Sequence, residues 1–136
     1  MEEGIISFLS DEVLPLNQYS PLTLAFIGDA VYELYIRSKL VHDTNTSADT
    51  LHKRAVRYVK ASGQCDAFDR IEPHLTEDEL KAFKRGRNTK TNPKAKNAGL
   101  AEYKKATGFE ALIGYIYLKK DFDRLNQILK LATEFE

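Results

Sequence analysis

One stretch constrains the fold more than any other. It runs from Pro21 to Leu40 and reads PLTLAFIGDAVYELYIRSKL. Leu24, Ile27, Val31, Leu34 and Tyr35 recur at three- and four-residue spacings, which predicts one apolar face of a helix. Ser20 is placed to cap it, and Pro21 suits the first helical position because its missing N–H would be unpaired there. Gly28-Asp29 then breaks the packing logic. Glycine inside a helix costs about 1 kcal/mol relative to alanine. An ionised carboxylate among Phe26, Ile27, Ala30 and Val31 is costly to bury unless something pairs with it. A helix chosen only for packing would carry neither residue, so Asp29 is the first functional candidate, with a paired structural acid as the plain alternative.

The rest of the chain predicts more helices. Residues 4–10 suit a short helix, and the stretch from Leu14 to Pro21 a connector bracketed by prolines. Ser47 is a plausible cap for a helix over about 48–62, with Leu51, Ala55, Val56 and Val59 inward and Gly63 as the interruption. A further piece through Ala67, Phe68 and Ile71 should stop before Pro73. Thr76 and Glu79 have capping-box spacing and open a short helix ending at Gly86. Arg87 to Lys96 reads as an exposed loop or a frayed helix end. Helical pattern returns near Ala98, and Asp121 should start the last helix, with Phe122, Leu125, Ile128, Leu129 and Ala132 inward. No segment alternates with period two. The expectation is all-α, with about six or seven helices in one domain spanning 1–136.

Composition excludes several classes. Cys65 is the only cysteine of the 136 residues, so no internal disulfide is possible, and no zinc spacing links it to His42, His52 and His74. No signal peptide or membrane-length apolar run is present, so a cytoplasmic protein with no membrane partner is expected. The net charge of zero conceals an asymmetry that matters more than the total. Residues 1–50 carry two basic and eight acidic side chains, whereas 81–105 carry nine Lys/Arg and one acid, Glu102.

The chemistry-bearing candidates are therefore carboxylates in apolar surroundings: Asp29, Glu33 and Glu110. Oxygen ligands of this kind suit Mg²⁺ or Mn²⁺, which retain several waters. Glu33 has an ordinary explanation as the i,i+4 partner of Arg37. Glu110 follows Thr107 by three residues, so a capping box would explain it. The basic block could be a solvated face. Yet its Lys and Arg are interleaved with Asn88, Thr89, Thr91, Asn92 and Asn97, and such a mixture suits phosphate and 2′-hydroxyl contacts. Tyr103, Lys104 and Lys105 extend the same surface, while Tyr32, Tyr115 and Tyr117 read as core or subunit-seam residues.

Two of these stretches carry a resemblance. Leu24-Ala25-Phe26-Ile27-Gly28-Asp29-Ala30-Val31-Tyr32-Glu33 resembles the signature helix of the ribonuclease III family, L-E-F-L-G-D-A-V-L-E. Residues 110–118, E-A-L-I-G-Y-I-Y-L, resemble that family's second motif, E-A-L-I-G-A-I-Y-L. The match covers essentially the whole chain and leaves no room for a double-stranded-RNA-binding domain. With the Arg85-Gly86-Arg87-Asn88 block, it looks like the bacterial Mini-ribonuclease III subgroup. The resemblance implies a homodimer of catalytic domains that clamps double-stranded RNA between subunits. It implies metal-assisted phosphodiester hydrolysis giving 5′-phosphate and 3′-hydroxyl ends, with precursor 23S ribosomal RNA as the substrate. Carried over by position, Asp29 and Glu110 are the catalytic and metal-binding acids, and Mg²⁺ is the cofactor, with Mn²⁺ as a substitute.

The sequence departs from the family pattern at three places. Ala25 and Thr107 stand where two of the four usual metal-binding acids belong, and Leu22 replaces another frequent glutamate, so two of the four carboxylates remain and waters or RNA phosphates must complete any metal shell. Without an RNA-binding domain, affinity must come from the basic block, and Lys84, Arg85, Arg87, Lys90, Lys94 and Lys96 are the expected RNA contacts. A catalytically weak, ribosome-associated RNA scaffold with the same fold is the competing expectation, and the missing acids feed it.

Overall fold

The computed structural model describes residues 15–90 and 98–134. Lys94, Lys96 and the helix expected over residues 4–10 lie outside the described residues. Among those described there are six α-helices and no strand. A 3-10 turn at Leu16–Gln18 precedes α1 (Pro21–Asp43), α2 (Ala48–Val59) and α3 (Ala61–Ile71). A second 3-10 turn at Glu72–His74 leads to α4 (Glu77–Asn88), α5 (Ala98–Leu118) and α6 (Phe122–Thr133).

The local signals place most helix starts. The Ser20 hydroxyl accepts from the Thr23 amide with Pro21 in the first turn, and Ser47 does the same for Thr50. Thr76 and Glu79 form both halves of a capping box. The Asp121 carboxylate accepts the Arg124 amide. The α-helical turn of α3 stops at Ile71, and Pro73 falls in the tighter turn that follows.

The architecture is organised around α5. Its residues from Ala106 to Tyr117 are all buried except Glu110 and Tyr115, which are half-buried. A helix apolar on every side belongs in the middle of a bundle, and α5 packs most extensively on α1 and α4, then on α3 and α6. Both main crossings are unusually close. A Cβ on Gly28 would collide with the Glu110 carbonyl oxygen and lie 2.7 Å from the Gly114 nitrogen. One on Gly114 would collide with the Leu24 carbonyl oxygen in return. On the other flank, a Cβ on Gly86 would meet the Ala111 Cβ at 2.6 Å, and one on Gly108 the Phe83 ring at 2.8 Å. Small residues thus set α5 against both neighbours at near-backbone contact. Tyr32 packs edge-on against Phe109 with ring centroids 4.9 Å apart, and Phe68 stacks on Phe83.

Four sequence expectations are corrected. The inward face of α1 is centred on Leu24, Ala25, Gly28, Tyr32, Ile36 and Leu40; of the expected residues Leu24 is buried and Ile27, Val31 and Tyr35 pack half-buried on the core, while Leu34 is 57% exposed. Because α1 carries large apolar residues on its outward side as well, periodicity fixes its rotation only weakly; the glycine crossing with α5 sets it. The break between α2 and α3 is at Lys60, which is extended, and Gly63 lies inside α3. Gly63 is there because a Cβ would strike the carbonyls of Arg57 and Tyr58 across the corner. The helix expected to end at Gly86 continues to Asn88. Glu110 is not a capping residue: it sits in the middle of a 21-residue helix, and Thr107 donates its hydroxyl back to the Tyr103 carbonyl at 3.0 Å.

A second consequence of the α1 rotation is an apolar stripe facing outward. Leu22, Phe26, Leu34 and Val41 are exposed, Phe26 by 81%. At about 100° per residue these positions share one side of the helix. Asp29 falls at the border between this stripe and the buried face.

Candidate active site

The close crossing of α1 on α5 brings together two residues 81 positions apart in sequence, Asp29 and Glu110. Gly28 lies directly against the Glu110 backbone, so the next residue of α1 projects beside the Glu110 side chain. The two side chains lie close enough for the Asp29 carboxylate to act on the Glu110 carboxyl. Asp29 reaches the surface and Glu110 is half-buried, so the pair forms a small acidic step at the edge of the bundle.

The electrostatics follow from the placement. Burial first, and the neighbouring Asp29 carboxylate second, push the Glu110 carboxyl well above the ordinary carboxylate range. The Gln64 amide opposes this, donating from Nε2 to Glu110 Oε2 at 3.2 Å. Two acids forced together against their own repulsion are a site that a divalent cation relieves. Carboxylates with remaining places for water are a suitable donor set for Mg²⁺ or Mn²⁺. Among the described residues no group of three or more His, Cys, Asp or Glu side chains converges, so this pair is what they could offer a cation. The two positions without an acid are both packed. Ala25 is buried with Leu24 and Ala111 against Tyr19, Tyr115 and Leu118, and Thr107 is buried with its hydroxyl committed along its own helix.

The other candidates fall elsewhere. Glu33 is bonded to Arg37 at 2.7 Å, the ordinary i,i+4 pair. Of the basic block, Lys84 and Lys90 are exposed at the end of α4. Arg85 is exposed and donates to the Tyr19 carbonyl at 3.4 Å. Arg87 is half-buried over the Phe83 ring, with its Nε donating to Asn88 Oδ1 at 3.0 Å. Lys105 does not extend this surface freely; it pairs with Asp69 at 2.6 Å. Tyr32 and Tyr117 are core residues and Tyr115 is half-buried. A pocket of about 200 Å³ opens two to three turns further along α1, lined by residues such as Arg37, Leu40 and Leu51, but it contains no carboxylate. Sequence reading missed Gln64, because a glutamine beside Cys65 and Asp66 looks like helix surface; only the packing of α3 on α5 turns it inward.

Comparison with known proteins agrees with the two motifs. Residues 22–121 match the sequence profile of the family described as Ribonuclease III domain. The chain is 47% identical to the Mini-ribonuclease 3 of Clostridium tetani, over 92% of this chain and 85% of that protein. It is 46% identical to the Mini-ribonuclease 3 of a Thermoanaerobacter species, over 98% and 97%. A crystal structure of a Fusobacterium nucleatum protein superposes with a TM-score of 0.76 at 34% identity, covering 88% of this chain and 95% of that one.

Proposed function

The chain belongs to the ribonuclease III domain family, and from that premise we propose how this endoribonuclease of double-stranded RNA works and on what. Asp29 and Glu110 are its catalytic acids and hold a divalent cation, with Mg²⁺ the natural ion and Mn²⁺ a substitute. The observation that supports this best is the glycine-mediated crossing that sets the two carboxyls side by side. A cation held there supplies positive charge to a phosphate and lowers the pKa of a bound water. The chain's own contribution is placement. Gly28 and Gly114 fix the helix spacing, Asp29 presents its carboxylate at the surface where a duplex backbone can approach, and Glu110 adds a second carboxyl behind it. The products carry 5′-phosphate and 3′-hydroxyl ends.

The remaining parts of the reading concern assembly and substrate. The outward apolar residues Leu22, Phe26, Leu34 and Val41 border Asp29 on a side they share with the Glu33–Arg37 ion pair, and large exposed apolar side chains of this kind suit a covered surface. We assign it to a homodimer, which presents two acidic pairs and two basic blocks to one duplex. Lys84, Arg85, Arg87 and Lys90, with Lys94 and Lys96, supply backbone contacts. Among the described residues no helix is long and apolar enough to cross a membrane. The proposed substrate is precursor 23S ribosomal RNA, matured at its paired ends in the cytoplasm.

The test is cleavage of a purified RNA duplex with Mg²⁺, beside Asp29→Asn and Glu110→Gln. Metal-dependent cuts by the parent and none by either variant support the reading. Duplex binding without cuts supports a scaffold instead. A 23S precursor with paired ends is then set against an unrelated duplex of equal length; equal rates overturn the substrate assignment.

A further inference from the structure

We propose that Gln64 is a positioning residue that orients the Glu110 carboxylate for the divalent cation. This rests on the reading of Asp29 and Glu110 as the metal site. The inward stripe of α3 is Gln64, Ala67, Phe68 and Ile71, at positions i, i+3, i+4 and i+7. Three of these four are apolar packing residues. The first is an amide, 2% exposed, where a leucine would pack more cheaply. A buried amide requires a partner, and the partner is Glu110 Oε2, 3.2 Å from Nε2.

The chemistry of the donor explains the choice. A lysine or arginine in this place would also satisfy Glu110, but it would cancel the negative charge that attracts a cation. An amide donates a hydrogen bond and leaves the carboxylate's charge intact. It ties one oxygen of a side chain with three rotatable torsions, so the group faces Asp29 before any ion arrives. That matters more here than in a site with four acids. Ala25 and Thr107 supply no carboxylate, so each remaining ligand bears a larger share of the binding. Partners that orient a metal-ligating carboxylate typically change metal affinity by about 10–100-fold when removed.

The experiment uses the RNA-free protein and Mn²⁺, with binding read by electron paramagnetic resonance and folding by thermal melting without metal. Gln64→Met keeps the volume and removes the donor. The expected result is Mn²⁺ affinity weakened about 10–100-fold, metal-free melting at or above the parent's, and RNA cleavage that recovers at high Mn²⁺. Affinity within twofold of the parent overturns the assignment. If Gln64→Met does not fold, Gln64→Asn, which keeps the amide one methylene short, is read by the same affinity criterion. Glu110→Gln separates the two layers. Loss of Mn²⁺ binding in Glu110→Gln with none in the Gln64 variant overturns the role of Gln64 alone. Unchanged binding in Glu110→Gln overturns the metal site, and this inference with it.

Discussion

Replacing Gly28 with alanine should separate the two proposed catalytic acids, Asp29 and Glu110, without touching either. The added Cβ would lie 2.7 Å from the Gly114 nitrogen and closer still to the Glu110 carbonyl oxygen. Ordinary contact begins near 3.4 Å, so the Gly114 nitrogen alone must retreat by about 0.7 Å. Both obstacles are backbone atoms of a buried helix, so no side chain can swing aside. Overpacking of this kind costs about 1–3 kcal/mol and sometimes more. Against it stands the helix-propensity gain of alanine over glycine, about 1 kcal/mol. The contact with the Glu110 oxygen is tighter still than the one with the nitrogen, which puts the clash at the upper end of that range, so it should win with a net loss near 2 kcal/mol. For a chain of this size that is a fall of roughly 6–10 °C in Tm. The effect on activity should exceed the effect on folding, because a displacement approaching 1 Å at a reacting centre can cost about 100-fold in rate. Gly114→Ala attacks the same seam from the other side, so the double variant should lose less than the sum of the singles. Thermal melting and single-turnover cleavage of a duplex RNA, measured where each variant is folded, test this. A Gly28→Ala protein that melts at or above the parent and cleaves within twofold of its rate would refute the argument.

Other outcomes follow from the same geometry. Phe26→Asp should turn a dimer into a monomer by sedimentation while leaving melting of the subunit nearly unchanged, since the ring is 81% exposed; a dimer that survives removes the assignment of that stripe. Arg85→Ala with Arg87→Ala should weaken duplex binding and reduce the salt slope by roughly one for each phosphate no longer neutralised, whereas an unaltered slope places the RNA backbone against other residues. Arg124→Leu should cost about 2–4 kcal/mol, because it strands the buried Glu79 carboxylate that Arg124 meets at 2.7 Å. The same pair sets an acid limit. The Arg124 hydrogen bond first, and the Thr76 amide with it, hold the Glu79 carboxyl below its ordinary value against the opposing effect of burial. A carboxyl lowered in the folded state stabilises fully above its unfolded pKa near 4.5, and that contribution disappears as pH falls through the lowered value. Acid melting of Arg124→Leu should therefore lack this component, and a parallel pH dependence in parent and variant would count against it.

What sequence could and could not reveal divides along physical lines. Signals read between neighbours three or four residues apart were legible. Ser20, Ser47, Thr76 and Asp121 cap the helices they were expected to cap, and the inward face of α6 is the predicted one. Each depends on hydrogen bonds or amphipathicity within a single helix, and these are properties of local sequence. The family was legible for another reason: two motifs with close matches at Asp29 and Glu110 carry it, and the fold comes with them.

The tertiary structure decided the rest. Apolar residues on both sides of α1 leave its inward face only weakly marked, so its rotation waits on the partner helix. The close approach of Gly28 and Gly114 sets it, burying Tyr32 and Ile36 and turning Phe26 and Leu34 outward. Glu110 has capping-box spacing from Thr107, and only the continuation of α5 through both residues shows a mid-helix carboxylate. Gln64 reads as surface until α3 closes on α5. The sequence by itself determined which residues are unusual, because an acid or a glycine in an apolar helix carries a cost visible from its neighbours. Which of them meet was decided by the helix crossing, because closeness in space between residues 29, 64 and 110 depends on the packing of three helices and on nothing in the spacing along the chain.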